Sequence, residues 1–500
     1  MRSEPQMTSA AEPRRVGYIG ARGPVVPESG EYLPILNPAT GAALGEAYEV
    51  DSADLDRIIE DAHATQRNVW RATAPDARGR ILRAWADKVA AHREELADLD
   101  SQDVGHLRAE TLGDVDVTVK ILTYYAGMAD KLESRSYAQF PGRIAYGIDE
   151  PFGVVAGVSP YNANTIFAVF KAAPALVAGN AIVLKAPELA PLSTFRLVEL
   201  GLEAGLPPGL VNVVTGRGAV VGPLLTEHPG IGMVAFTGGL EAGRSVIRQS
   251  ATNIVPVSLE LGGKSPVIIL DDADLELALP LIAHSNFVKS GQSCVAGSRV
   301  FAPASRYEEI ASRLAEIATA VRVGDPLSPD SQMGSLISQR HRTTVDSLVH
   351  SAVDAGATLL AGGAPVEPGG LTDGAFYAPT VLGDVQDDNP AARTEAFGPM
   401  ASVLSYTDVD EVLGRANDSD FGLSAQVWGN DAASIQHLAA NLEVGTVWVN
   451  AYRAIHFTVP FGGVKQSGYG RENGFEAIRL YTQSKAVVWD LTTTRADPYA

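Results

Sequence analysis

The chain of 500 residues contains one cysteine, and the residues beside it leave it room to react. Cys294 sits in Gly291-Gln292-Ser293-Cys294-Val295-Ala296-Gly297, with small residues on both sides. A thiolate nucleophile needs space for an incoming electrophile and donors for the charge that develops on attack; small neighbours allow both. Glu260 ends an apolar run just before the Gly262-Gly263 pair. A carboxylate at a strand end can be held close enough to move a proton. The competing reading of Cys294 is a small buried hydrophobe, the commoner use of a lone cysteine.

The elements that position these residues follow from periodicity. From Gly153 onward, apolar runs at 153–158, 181–184, 211–214, 234–236 and 257–259 alternate with helical stretches near 165–178, 192–204, 217–227 and 240–250. Such alternation predicts a mostly parallel sheet covered on both faces, with its loops at the carboxyl edge. Three of those loops carry chemistry. Ser159-Pro160-Tyr161-Asn162 follows the first strand, and Lys185-Ala186-Pro187-Glu188 follows the second. Phe236-Thr237-Gly238-Gly239, with Gly243 beyond, enters a helix after the fourth. A glycine turn at a helix start can bring N–H groups to a pyrophosphate, Lys185 can reach a phosphate or ribose oxygen, and Glu188 can accept from ribose hydroxyls. The turn is not G-x-G-x-x-G, and glycines that only make turns remain the alternative.

Upstream, residues 1–16 are expected to be flexible, and 17–50 to form a hairpin turning at 37–41. Leu55, Ile58, Ile59, Ala62 and Val69 fit one helix opened by Asp51-Ser52. Ile81, Leu82, Trp85, Val89 and Leu96 fit a second helix opened by Pro75-Asp76, and 115–132 a third. His106 reads as a surface or locally bonded histidine. Downstream, Leu275, Leu279 and Ile282 lie on one helical face, with Pro280 expected to kink or break it.

Composition narrows the class. A net charge of −20 argues against a nucleic-acid or anionic-membrane surface, and a hydrophobic content of 46% suits a packed enzyme of two or more domains. One cysteine forbids an intrachain disulfide and suits a reducing compartment. No secretory segment or membrane span is visible, so the expected location is the cytoplasm. The nine histidines form no metal-ligand spacing, and no metal is expected.

Leu259-Glu260-Leu261-Gly262-Gly263-Lys264-Ser265-Pro266 and Gly291-Gln292-Ser293-Cys294 resemble the two signature segments of the NAD(P)-dependent aldehyde dehydrogenase superfamily, in its hydrolytic, non-acylating form. Pro160-Tyr161-Asn162 is similar to its P-W-N segment, and Lys185-Ala186-Pro187-Glu188 to K-P-x-E with the proline one place later. Phe236-Thr237-Gly238-Gly239 is similar to F-T-G-S with glycine for serine, and Glu395-Ala396-Phe397-Gly398-Pro399 to E-x-F-G-P. Phe421-Gly422-Leu423-Ser424, Gly445 to Asn450 and Pro460-Phe461-Gly462-Gly463 through Glu472 extend the resemblance, which covers roughly residues 37–488.

The resemblance implies an α/β fold: a Rossmann-like cofactor domain (17–134 and 151–261), an α/β catalytic domain (262–465) and an oligomerisation element (135–150 and 483–500). It implies Cys294 as nucleophile, Glu260 as base and Asn162 as oxyanion amide. It implies nucleotide contacts from Ser159, Pro160, Tyr161, Lys185 and Glu188, then from Phe236, Thr237, Gly238, Gly239 and Gly243, and finally from Leu261, Glu395 and Phe397. Glu188 favours NAD over NADP, because its charge opposes a 2′-phosphate. The matched pocket positions are Phe167, Phe170, Ser293, Val295, Ile455 and Phe461. Arg453 and His456 flank Ile455, and one of them could meet the polar or carboxylate end of a semialdehyde or an oxygenated aromatic aldehyde. A surface or intersubunit ion pair is the alternative for Arg453. The implied reaction converts a small-molecule aldehyde to its acid through a thiohemiacetal and a thioester hydrolysed by water, in a homodimer or homotetramer. A coenzyme A-acylating enzyme and a non-enzymatic NAD-binding protein of the same fold remain alternatives.

Overall fold

The computed structural model describes residues 14–493 and 497–499. An eight-stranded sheet carries the strands expected after Gly153, each within a residue or two of its expected bounds. At its centre Val257–Glu260, Met233–Thr237, Val154–Val158, Ala181–Lys185 and Val211–Val214 run parallel in that spatial order. These runs are buried on both faces, which is why they read as nearly continuous apolar sequence. Antiparallel strands close both edges: Tyr18–Gly20 with Gly23–Val25 on one side, and Gly468–Tyr469 beside Glu260 on the other. The chain therefore leaves this sheet after Glu260 and returns to it some 200 residues later.

Between those two crossings lies a seven-stranded sheet. Thr380–Gly383, Met400–Tyr406, Arg299–Pro303, Pro266–Ile269, Ser424–Trp428 and Thr446–Val449 are parallel, with Thr358–Ala361 antiparallel at one edge. Ser467 clips the crossings together: its carbonyl accepts from Leu261 N at 3.0 Å, and its hydroxyl donates to Gly262 O at 2.7 Å.

A third sheet pairs Thr482–Asp490 along its whole length with Arg143–Pro151, which also pairs with Arg135–Tyr137. The hairpin and the apolar partner strand expected at 486–489 are thus together. Among the described residues no helix is long and apolar enough to cross a membrane.

Several local expectations are corrected. Residues 1–13 lie outside the described residues, but Arg14–Val16 is a strand parallel to Ala43–Tyr48 rather than part of a flexible arm. Val69 is exposed, because Gln66–Trp70 widens into a π-turn that buries Trp70 instead; its Nε1 donates to Leu176 O at 2.8 Å. Leu96 belongs to a separate helix, Arg93–Val104. The third helix starts earlier, at Arg108, because Glu110 reaches back to Leu107 N as its cap. Of the kink or break expected at Pro280 the break is absent: Leu275–Phe287 is one helix, with Pro280 and Glu276 four residues back both exposed.

Candidate active site

Cys294 follows a short turn, Val288–Gly291, in which Lys289 (φ 55°) and Ser290 (φ 56°) are both left-handed. Side chains rarely tolerate that region, so the turn must be held from outside. Lys289 does much of the holding. Its N–H donates to Glu110 Oε1 at 2.8 Å, and its Nζ donates to Asp114 Oδ2 at 2.5 Å and to Asn162 O at 2.9 Å. Gly291 (φ 73°) completes the turn where a Cβ would lie 2.1 Å from Gly398 O. The cysteine loop is thereby pressed against the loop carrying Phe397.

Asn162 faces the same place from the other sheet. Its Nδ2 donates to Gln292 O at 2.9 Å, which leaves the second amide hydrogen free. Gln292 is itself anchored, its Oε1 accepting from Ile337 N at 2.9 Å and its Nε2 lying 3.1 Å from His106 Nε2. His106 is therefore a buried support of this loop, not a surface residue, and burial holds its pKa well below the ordinary histidine value.

Glu260 is buried at the end of its strand; the Gly463 N–H lies near its carboxyl, and no side chain among the described residues hydrogen-bonds to it. Burial raises its pKa well above the carboxylate range; the Glu472 charge adds to this, and Lys171 and Arg471 oppose it. Lys171 Nζ donates to Glu472 Oε1 at 2.9 Å and to Thr237 Oγ1 at 2.6 Å, a buried pair beside that carboxyl. Burial pushes the Cys294 thiol up to about 12; Glu395 and Glu260 push the same way, and Arg453 pulls against them.

Two cavities meet at these groups. One, of about 270 Å³, is bounded by Pro160 and Tyr161, by Thr237 to Gly239, by Glu260 to Gly262, and by Glu395 and Phe397. The other, of about 430 Å³, is bounded by Phe167, Phe170, Ser293, Val295, Arg453, Ile455 and Phe461. Asn162, Phe167 and Cys294 line both. The tail of the first cavity reaches the helix Leu240–Ser250, which starts at Gly239 without a side-chain cap and with open space where a Cβ would sit. The first N–H groups of that helix have no partner within it.

Some expected positions fall elsewhere. Phe236 is buried with its ring beneath Gly238, a packing role that forbids a side chain there. Gly238 N is already donated to Glu260 O at 3.1 Å. Gly243 is a packing glycine: its N–H bonds to Gly239 O, and a Cβ would strike Leu261 at 2.6 Å. Ser159 lies behind the cavity, its N–H on Lys185 O at 3.3 Å. Lys185 and Glu188 stand beyond the enclosed part, Lys185 Nζ on Ala186 O at 3.2 Å and Glu188 Oε2 accepting from Gly218 N at 2.5 Å. Glu395 accepts from Gly263 N at 3.1 Å, and burial pushes it up to about 7. Phe397 meets Tyr161 edge-on at 5.9 Å. His456 does not enter the cavity with Cys294; it lies on the outer continuation, exposed, stacked on Phe457 at 4.1 Å and bonded to Thr458.

Sequence reasoning passed over Lys171, Lys289 and Gln292 as site residues. A signal existed for Lys171, a single charge inside the apolar stretch from Ile166 to Val177, since a buried cation requires a partner; Lys289, followed by Ser290-Gly291-Gln292, gave none.

Fold and cavities together define an α/β enzyme with a parallel nucleotide-type sheet, a second α/β sheet and a lone thiol between them. The chain belongs to the aldehyde dehydrogenase family, whose model matches residues 25–487. Its structure is similar to the NAD+ complex of an aldehyde dehydrogenase from Bacillus cereus, at 36% identity and TM-score 0.93 over 96% of this chain and 97% of that one. It is similar to PnpE from Pseudomonas sp. WBC-3, at 35% identity and TM-score 0.94 over 97% and 100% of the two chains. It is likewise similar to a point mutant of betaine aldehyde dehydrogenase from Staphylococcus aureus bound to NAD+, at 33% identity and TM-score 0.94 over 97% of each.

Proposed function

We propose that the protein oxidises an aldehyde to its carboxylic acid, with NAD as hydride acceptor and water as the source of the second oxygen. The observation that carries this is the meeting of the two cavities at Cys294 and Asn162, with Glu260 in the wall of the first. The residues present suit a dinucleotide. The open glycine at the uncapped helix start suits a pyrophosphate, Glu188 keeps Oε1 for a ribose hydroxyl, and buried Glu395 can accept from the second ribose. When bound, NAD supplies the hydride-accepting ring that no side chain can replace.

The chain's own groups do the rest. Cys294 Sγ adds to the aldehyde carbon arriving through the second cavity, and the thiol proton leaves. The free Asn162 N–H and the Cys294 backbone N–H take the oxyanion as it forms. After oxidation the acyl group remains on sulfur as a thioester. Glu260 takes a proton from water as water adds to that carbon, and the acid departs with the thiol restored. A carboxyl that no side chain claims is suited to hold a water, which favours hydrolysis over acyl transfer to coenzyme A.

NADH production from an aldehyde panel, with and without coenzyme A, tests the reading. Cys294→Ala is expected to abolish turnover while calorimetry still detects NAD binding, because the sulfur is separate from the glycine turn. Substantial NADH formation by that variant would overturn the assignment.

The expected division into 17–134 with 151–261, 262–465, and 135–150 with 483–500 is proposed as three functional units. Support comes from the separate cores packed around the two large sheets and from the separate third sheet. The third unit is proposed to join copies of the chain into a homodimer or homotetramer.

A further inference from the structure

Arg453 is a cation without a counterpart. It lies in the wall of the Cys294 cavity on the loop between Asn450 and Phe461, at φ 50°. Among the described residues its guanidinium meets no carboxylate, carbonyl or aromatic face. The two acids that face it are occupied elsewhere. Asp114 is paired with Lys289, and Glu110 accepts from Leu107 N at 3.0 Å and Lys289 N at 2.8 Å. Tyr452, His106 and His284 are also near enough to feel its charge, and both histidines are held below the ordinary value, first by burial. The guanidinium is half-buried and opens on the cavity with its donors unclaimed, so a ligand entering that space can supply the partner the protein does not.

Resting on the oxidation proposed above, we infer that Arg453 receives a carboxylate at the far end of the aldehyde, so that the preferred substrate is a semialdehyde. The planar fork matches two carboxylate oxygens, which a lysine would not do. One guanidinium balances one negative charge; a phosphate dianion would bring a second beside Glu110 and Asp114. Phe167, Phe170 and Val295 line the remainder and suit a short methylene bridge. His456, outside this space, takes no part.

Arg453 also draws the Cys294 thiol downward, so a role in thiol activation must be told apart from one in substrate recognition. The experiment pairs 4-oxobutanoate with butanal and 6-oxohexanoate with hexanal. Wild type is expected to prefer one or both acids by about ten- to hundredfold in kcat/KM. In Arg453→Ala that ratio collapses towards one, and in Arg453→Lys part of it returns. Protection of Cys294 from iodoacetamide, measured without nucleotide, reads binding alone: the oxo acid protects at lower concentration than the alkanal, and Arg453→Ala removes the difference. Arg453-dependent protection without turnover of any aldehyde would sustain the carboxylate site at Arg453 and sink the oxidation reading. NADH formation without carboxylate preference would do the reverse. An equal loss for both partners of a pair in Arg453→Ala, with the alkylation profile moved to higher pH, would assign Arg453 to the thiol and overturn the inference.

Discussion

Glu260 acts only when its carboxyl is ionised, and the surroundings keep it protonated to an unusually high pH. Its acid limb should therefore lie above the ordinary carboxylate range, with thioester hydrolysis falling as pH drops through it. The two neighbours push in opposite directions. Glu472→Gln removes a negative charge and leaves Lys171 unpaired, so the limb should move to lower pH; Lys171→Met should move it higher. A pH profile of steady-state turnover checks both signs. Glu260→Gln should lower turnover by about 10²–10⁴-fold while leaving a pre-steady-state burst of NADH. Nucleotide choice is set at the same scale. Glu188 is proposed to meet a ribose, and the nearby Arg217 is paired with buried Glu49 at 2.8 and 2.5 Å, which offsets its charge. kcat/KM should favour NAD over NADP, and Glu188→Gln should narrow the gap; a wild-type advantage for NADP would reject the assignment.

At the level of elements, the loops depend on anchors from distant sequence. Lys289→Met would leave Asp114 buried without its cation, a loss of about 3–5 kcal/mol by analogy with other broken buried pairs. It would also free the backbone of Asn162. A lower thermal midpoint together with a larger fall in kcat than in NAD affinity is the expected pair of results. This dependence explains what was legible in the sequence. The strands 211–214 and 257–260 and the helix 240–250 were readable because apolar runs and helical spacing are local. Cys294, Glu260 and Asn162 stand out in the sequence because their flanking residues are distinctive, and the fold brings all three to one cavity. Gly243 facing Leu261 and the Phe236 ring under Gly238 also serve packing that only the folded chain reveals. His106 was misplaced because its partner, Gln292, lies 186 residues away.

For the whole molecule, the third sheet leaves apolar residues in water. Ile144, Val488 and Trp489 are each about half exposed, and Trp489 lies opposite Ile144 in the register. The strand Thr482–Asp490 also forms an open sheet edge. Light scattering should give a dimer or tetramer, and Ile144→Asp with Trp489→Asp should reduce its mass; a wild-type monomer at micromolar concentration would remove the oligomer proposal. The late return of the chain to the first sheet has a consequence for biosynthesis. Lys171 emerges from the ribosome some 300 residues before Glu472, and the edge strand Gly468–Tyr469 is equally late. Until then the nascent nucleotide lobe must keep an unpaired lysine in its interior or hold that helix open to water. The lobe encoded first is therefore among the last to close, and a chain stalled near its end carries a finished second sheet beside an unfinished first.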